Sequence, residues 1–302
     1  MPNQQGVLKE ISEVQEKGHP SPADFVRGKY LNQLSEYTER NVIAYYSGFL
    51  SDPHSHDAAI NEDDKNGFMF CCHGLDRTKG LDLILHTSGG DLQAMASLVT
   101  YLKEVFGNDI RAIIPQIAMS AGTMMAVACK SIVMGKQSSL GPTDPWVNGH
   151  PAYAVKKQFE QAHEEITENP NTALVWQPIL RNLGASFLKQ CDWAIQYAEN
   201  FVTEALKANM LKEHPEATAK SKEIAETLGD LERNKSHGRR FHYMDCKNMG
   251  LEIEMLEDKQ ELQDLVLSVH HCYMHAMGTK DSVMKVIENH KENIWGKQSS
   301  SS

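Results

Sequence analysis

The sequence predicts an α/β protein, a parallel sheet assembled from βαβ units and followed by a helical C-terminal part. Three observations carry this. The apolar runs "LDLILH" and "DIRAII" end in turn chemistry, as buried parallel strands do. Between them, "DLQAMASLVTYLKEVFG" spaces Leu92, Met95, Leu98, Val99 and Leu102 along one helical face, with Gly107 as its stop. Finally, strand and helix alternate from residue 81 to residue 135, which calls for right-handed crossovers.

The elements follow in order. Residues 1–35 are polar and charged and read as an N-terminal arm or helix. "NVIAYYSGFL" is β-branched and aromatic, a strand; "DPHSHDAAINEDDKNG" is a polar loop that enters a helix near Asn61. After the strand at 81–86 and its helix come "DIRAIIPQIA" (strand), "SAGTMMAVAC" (helix), "SIVMG" (short strand) and the turn-rich "KQSSLGPTDPW". Residues 152–228 are helical, with breaks at 169–171 and near Gly184 and Pro215. "SHGRRFHYMDCKNMGLEIEML" gives a turn, a short helix over residues 243–249 and a final strand. Residues 260–290 read as a C-terminal helix, and "QSSSS" as a floppy tail. The expected domains are an arm (1–35), a main domain (36–260), and a C-terminal helix with a disordered tail (261–302).

Composition narrows the function. In 302 residues, 30 Lys and Arg stand against 40 Asp and Glu, a net charge of −10, which argues against a broad nucleic-acid footprint. No charge-free segment reaches membrane-spanning length, and "MPNQQGVLKEISEVQEKG" lacks a signal-peptide layout. Six cysteines without a CxxC pair read as reduced thiols, so a cytoplasmic location is expected.

The chemistry gathers at two Gly-containing turns, "HTSGGD" and "AMSAGT", at the C-terminal ends of consecutive parallel strands, the edge where open α/β sheets bind ligands. Ser120 lies at a strand-to-helix turn, near backbone N–H groups that favour developing negative charge. Gly89 and Gly90 bare a second set. One donor from each turn makes an oxyanion hole for acyl transfer; alternatively, the small residues only let a helix pack on the sheet.

These blocks carry a resemblance. "LILHTSGGDLQAMASLVTYLK" followed by "IIPQIAMSAGTMMAVACKSIVMGKQSSLGPTDP" resembles the ClpP/crotonase superfamily. With "RNVIAYYSGFL" and "SHGRR", the chain over residues 35–260 is similar to the serine dehydrogenase proteinases, soluble relatives of signal peptide peptidase A. The resemblance implies a ClpP/crotonase-like spiral of βαβ units and a serine endopeptidase of peptides or unfolded protein. Ser120 would be the nucleophile, with Gly89 and Ala121 as oxyanion donors. ClpP places its histidine where this chain has Thr143 and Asp144, and the stretch "SSLGPTDPW" contains none. That favours a Ser–Lys dyad with a lysine deprotonated by burial. Lys189 is the first candidate, with Lys156 and Lys157 as rivals. Ser139 in "SSLG" either orients the amine or is an ordinary turn hydroxyl. Relatives form rings or stacks, so a homo-oligomer is expected. A catalytically weak scaffold and a crotonase-like acyl-CoA enzyme are the alternatives.

Other residues have plainer readings. His86 either faces the site or is held by hydrogen bonds at a buried strand end. Asp91 is a helix N-cap. His271 and His275 share a helix face but lack a third ligand, so neither metal nor cofactor is expected. "SHGRR" concentrates positive charge in an acidic chain. It ties the C-terminal strand to the core, or binds a carboxylate or a partner subunit.

Overall fold

The computed structural model describes residues 4–53, 55–181, 183–184, 186–278 and 283–298. Its first elements are α1 (Gln4–Glu16), α2 (Pro22–Thr38), β1 (Asn41–Ser47), α3 (Asp64–Cys72), β2 (Leu81–His86), α4 (Leu92–Phe106), β3 (Ile110–Ile114), β4 (Ile117–Ala118), α5 (Ala121–Val127), β5 (Ser131–Met134) and β6 (Ser139–Leu140). Then come β7 (Trp146–Val147), β8 (His150–Pro151), α6 (Ala152–Glu168), α7 (Ala173–Leu180), α8 (Phe187–Ala208), α9 (Ala217–Gly229) and α10 (Leu231–Asn234). The chain ends with β9 (Phe241–His242), α11 (Tyr243–Met249), β10 (Ile253–Met255), α12 (Gln260–Met277), β11 (Val283–Asn289) and β12 (Ile294–Gln298).

The main sheet has seven strands in the order β10-β5-β3-β2-β1-β11-β12. The first five are mutually parallel, and β11 and β12 add an antiparallel edge. The α/β class with a mostly parallel sheet is therefore observed. Alternation along each strand divides the core in two. Leu81, Leu83 and Leu85 face α4 and α5, with the 198–228 helices beyond. Val42, Ala44, Tyr46 and Ile84 face α2 and α12. Apolar contacts on both faces explain why these strands read as unbroken hydrophobic runs.

At the N-terminus the chain forms the helices α1 and α2, and α2 buries Leu31 and Leu34 under the sheet against α12. One expectation changes at the other end. The C-terminal helix ends at Met277, and the stretch from Val283 returns as a strand paired with β1, register Ser47↔Lys285 to Ile43↔Asn289. "VMKVIEN" lies buried beside β1, so it meets the needs of a strand rather than an exposed helix. The tail at 299–302 lies outside the described residues.

A small second sheet, β4-β6-β9, sits above the C-terminal edge of the first. All six cysteines are buried free thiols. Among the described residues, no helix is long and apolar enough to cross a membrane.

Candidate active site

The site starts where β3 gives way to β4 and the chain turns into α5. Thr87, just past β2, pairs with Ala118: its N–H donates to Ile117 O (3.1 Å), and its carbonyl accepts from the Met119 N–H (3.0 Å). The two turns are thus fastened side by side. The Gly122 N–H donates to Met119 O at 2.8 Å, closing a tight turn in which Ser120 takes φ 51° and ψ −117°. That conformation belongs to glycine, and holding a serine in it costs ~1–3 kcal/mol. Gly122 is required next to it, because a Cβ there would lie 2.5 Å from Thr87 Cγ2. Ser120 itself is half-buried and lines a cavity of about 580 Å³.

The Ala121 N–H opens α5, where first-turn amides lack intrahelical acceptors. Gly89 abuts Ser120 closely: a Cβ on it would sit 2.8 Å from both Ser120 Cβ and Met119 O, and its φ is +103°. Its N–H donates to Thr87 Oγ1 at 3.1 Å, a side-chain-closed turn, so an oxyanion would have to share or displace that contact. The carbonyl of Gly89 is fixed from the other side by the Ile60 N–H at 2.9 Å.

His237 also lines this cavity, and behind it lies a partner that was not expected. His237 Nδ1 lies 2.9 Å from Asp144 Oδ1. Asp144 is buried, while His237 is 30% exposed and shares the cavity wall with Ser120. Asp144 Oδ2 is buried without a hydrogen-bond partner among the described residues, leaving the imidazole as the carboxylate's partner. Trp146 meets the imidazole edge-on at 5.6 Å between centroids. Both residues are held by their neighbours. The Thr143 N–H donates to Leu228 O (2.9 Å), Arg239 Nη1 to Asn234 Oδ1 (3.2 Å), and Arg240 Nη1 to Ser139 Oγ (3.3 Å). Sequence reasoning passes over His237 as a base because it lies over a hundred residues from Ser120. The usable signal was "SHGRR" as a carboxylate binder, and the carboxylate is Asp144.

The expected lysines are engaged elsewhere. Lys189 is exposed on α8, its Nζ 5.9 Å from the centroid of Trp193, so the burial required of a lysine base is absent. Lys156 pairs with Asp192 (3.4 Å), and Lys157 with Glu160 (3.0 Å) and Glu232 (3.5 Å). None of the three lines the cavity that holds Ser120. Ser139 is buried, its hydroxyl taken by Arg240 rather than by a lysine.

His86 faces the opposite side of the sheet, stacked on Tyr46 and near His270, with Nε2 3.1 Å from Gln116 Oε1. Asp91 caps α4, accepting from the Ala94 N–H at 2.7 Å. No cluster of three or more metal-type side chains occurs among the described residues.

Residues 58–299 match the family model for the ClpP-like SDH-type serine proteinase. Two Methanocaldococcus jannaschii proteins are similar. Uncharacterized protein MJ0137 is 28% identical over 195 residues, 65% of this chain and 60% of its own length. Uncharacterized protein MJ1495 is 29% identical over 203 residues, 67% of this chain and 60% of its own. The match therefore spans under two thirds of those relatives. Among solved structures, the 1510-N membrane-bound stomatin-specific protease aligns with a TM-score of 0.40 in two mutant forms. The serine-to-alanine form is 16% identical over 68% of this chain and 79% of its own. The lysine-to-alanine form, in complex with a substrate peptide, is 18% identical over 68% and 74%. With the family model covering most of its length, this chain belongs to the ClpP-like SDH-type serine proteinases.

Proposed function

We propose that the protein hydrolyses peptide bonds with Ser120 as nucleophile, His237 as general base and Asp144 as the residue that orients His237. The observation that carries this reading is the 2.9 Å Asp144–His237 contact on the wall of the cavity that holds Ser120. With Nδ1 engaged by Asp144, Nε2 is the nitrogen left to take the Ser120 proton. The buried carboxylate stabilises the imidazolium that forms. The Ser120 oxygen attacks the scissile carbonyl, and the oxyanion is met by the Ala121 N–H. Gly89 supplies the second donor as its N–H leaves the Thr87 hydroxyl. His237 then gives the proton to the leaving amine as the C–N bond breaks, which leaves Ser120 acylated; water, giving its proton to His237, attacks that ester, and His237 returns the proton to Ser120 as the acid leaves. This triad replaces the Ser–Lys dyad as the preferred reading, because His237 lines the cavity that holds Ser120 and none of the three lysines does.

Substrates in this reading are peptides or unfolded chains, and self-association is the expected assembly. A fluorophosphonate probe tests the core of it. Labelling of the wild type, lost in Ser120→Ala and in His237→Ala, supports the triad. An unlabelled wild type would favour a catalytically silent scaffold.

A further inference from the structure

We infer that Lys285, on the C-terminal strand β11, is a positioning residue for the oxyanion side of the active site; this rests on Ser120 being the nucleophile. The side chain is fully buried, opposite Ser47 of β1. Its Nζ donates to Ala59 O at 2.7 Å and to Asp64 Oδ1 at 2.6 Å. Asp64 Oδ2 in turn accepts from the Asn61 N–H (3.1 Å) and the Tyr45 hydroxyl (2.9 Å). One ion pair therefore fastens segment 59–61 at both ends, by the carbonyl of Ala59 and the N–H of Asn61.

Between those anchors, Ile60 grips the active-site turn. Its N–H donates to Gly89 O at 2.9 Å, and its carbonyl accepts from the Asp91 N–H at 2.8 Å. The fit leaves no slack, since a Cβ on Gly90 would lie 2.2 Å from Ile60 N. Gly89 is the residue whose Cβ position falls 2.8 Å from Ser120 Cβ. The path from Lys285 to the nucleophile thus runs through one short segment, and Ala59 itself lines the catalytic cavity.

The alternative is that the pair only seals β1 against β11. An apolar pair would do that without desolvating two charges. What the charged pair adds is direction, because its backbone contacts go to 59–61 and not to the sheet. The outer lysine of the same hairpin repeats the grip, with Lys297 Nζ 3.1 Å from Asp57 and 3.2 Å from Asp63. Gripped by both lysines, the acidic loop before α3 becomes the brace of the site.

The test uses the full chain with two variants. Lys285→Met leaves Asp64 buried without its ion-pair partner, which by itself destabilises the fold; Asp64→Asn/Lys285→Met removes both charges. The double variant keeps acceptors for Asn61 and Tyr45 while freeing the Ala59 carbonyl. The expected result for the folded double variant is a fall of at least tenfold in kcat and in the rate of fluorophosphonate labelling. KM for a peptide substrate should stay within twofold, and amide exchange should quicken in segments 59–62 and 89–92. A folded double variant with wild-type kcat, labelling rate and exchange would overturn the inference. Unfolding of both variants would also overturn it, assigning the pair a purely structural role. A wild type that takes up no probe removes the nucleophile reading and this inference together. A labelled wild type beside an equally fast double variant removes this inference alone.

Discussion

Asp144 and His237 meet 2.9 Å apart, each four residues beyond a paired strand of the small sheet. β6 and β9 pair antiparallel with Ser139 opposite His242 and Leu140 opposite Phe241. Asp144 follows β6 by four residues, in a loop tied to Leu228 O through the Thr143 N–H, and His237 precedes β9 by four residues, in a turn closed by Arg239 N–H to Ser236 O. Since β6 also pairs with β4, whose end leads to Ser120, three sequence-distant residues are placed by one three-stranded unit.

The first prediction follows from that placement. His237→Ala removes the base, and kcat for peptide hydrolysis should fall by about 10³-fold or more with KM little changed. Asp144→Asn should also lower kcat by orders of magnitude, since it keeps the shape but loses the charge that orients and stabilises the imidazole. Lys189→Ala should leave kcat within about twofold, its amine being exposed beside Trp193. Steady-state kinetics of the three variants decide between triad and dyad, because a lysine base would invert the ranking.

How much of this was legible beforehand depends on the range of each interaction. The βαβ core and the elbow at Ser120 were readable because strand periodicity, Gly-containing turns and helix starts are local signals. The pairing of Asp144 with His237 was not, since it depends on β6 and β9 meeting across a long helical excursion. "VMKVIEN" was read as helix for a related reason. With Lys285, Glu288 and Asn289 all buried, its strand character comes from partners on β1, α3 and α12 rather than from alternation of its own.

Strain at the elbow gives a stability prediction. Ser120 occupies a glycine conformation, φ 51° and ψ −117°, at ~1–3 kcal/mol. Ser120→Gly relieves that strain but adds ~0.5–1 kcal/mol of unfolded-state entropy. Melting by calorimetry should therefore place Ser120→Gly a few degrees above Ser120→Ala, with both inactive. Equal melting temperatures would mean that the turn stores no strain.

Gly89 tests the close approach of the two turns. Ala there brings a Cβ to 2.8 Å from Met119 O and Ser120 Cβ, at a φ of +103° that L-residues avoid. Gly89→Ala should lower kcat by about 100-fold, the size of a lost oxyanion donor, and destabilise the fold by ~1–3 kcal/mol. Gly74→Ala shares a positive φ of 73° but meets nothing within 4 Å. It should show only the smaller stability loss, with normal kcat. Peptide hydrolysis and thermal melts of the pair separate steric intrusion at the site from backbone strain alone.

Two buried histidines on the far side of the sheet contribute to acid stability. Burial holds His86 down to about 4, partly opposed by its Gln116 contact. His270 falls to about 3 through burial and then the neighbouring His86 and His271. In both, the unfolded chain binds the proton more readily than the folded one, so stability rises with pH wherever unfolded histidine is protonated and the folded one is neutral. The contribution is complete above about pH 6.5 and is lost as pH falls from there toward 4. For His86 alone that loss is ~3 kcal/mol, with further loss toward pH 3 from His270. Chemical denaturation at a series of pH values should show this slope in the wild type. His270→Phe keeps an aromatic ring beside Tyr46 and removes one titrating group. Its stability should fall less steeply over the same range, and a slope equal to the wild type's would show that His270 does not titrate between the two states.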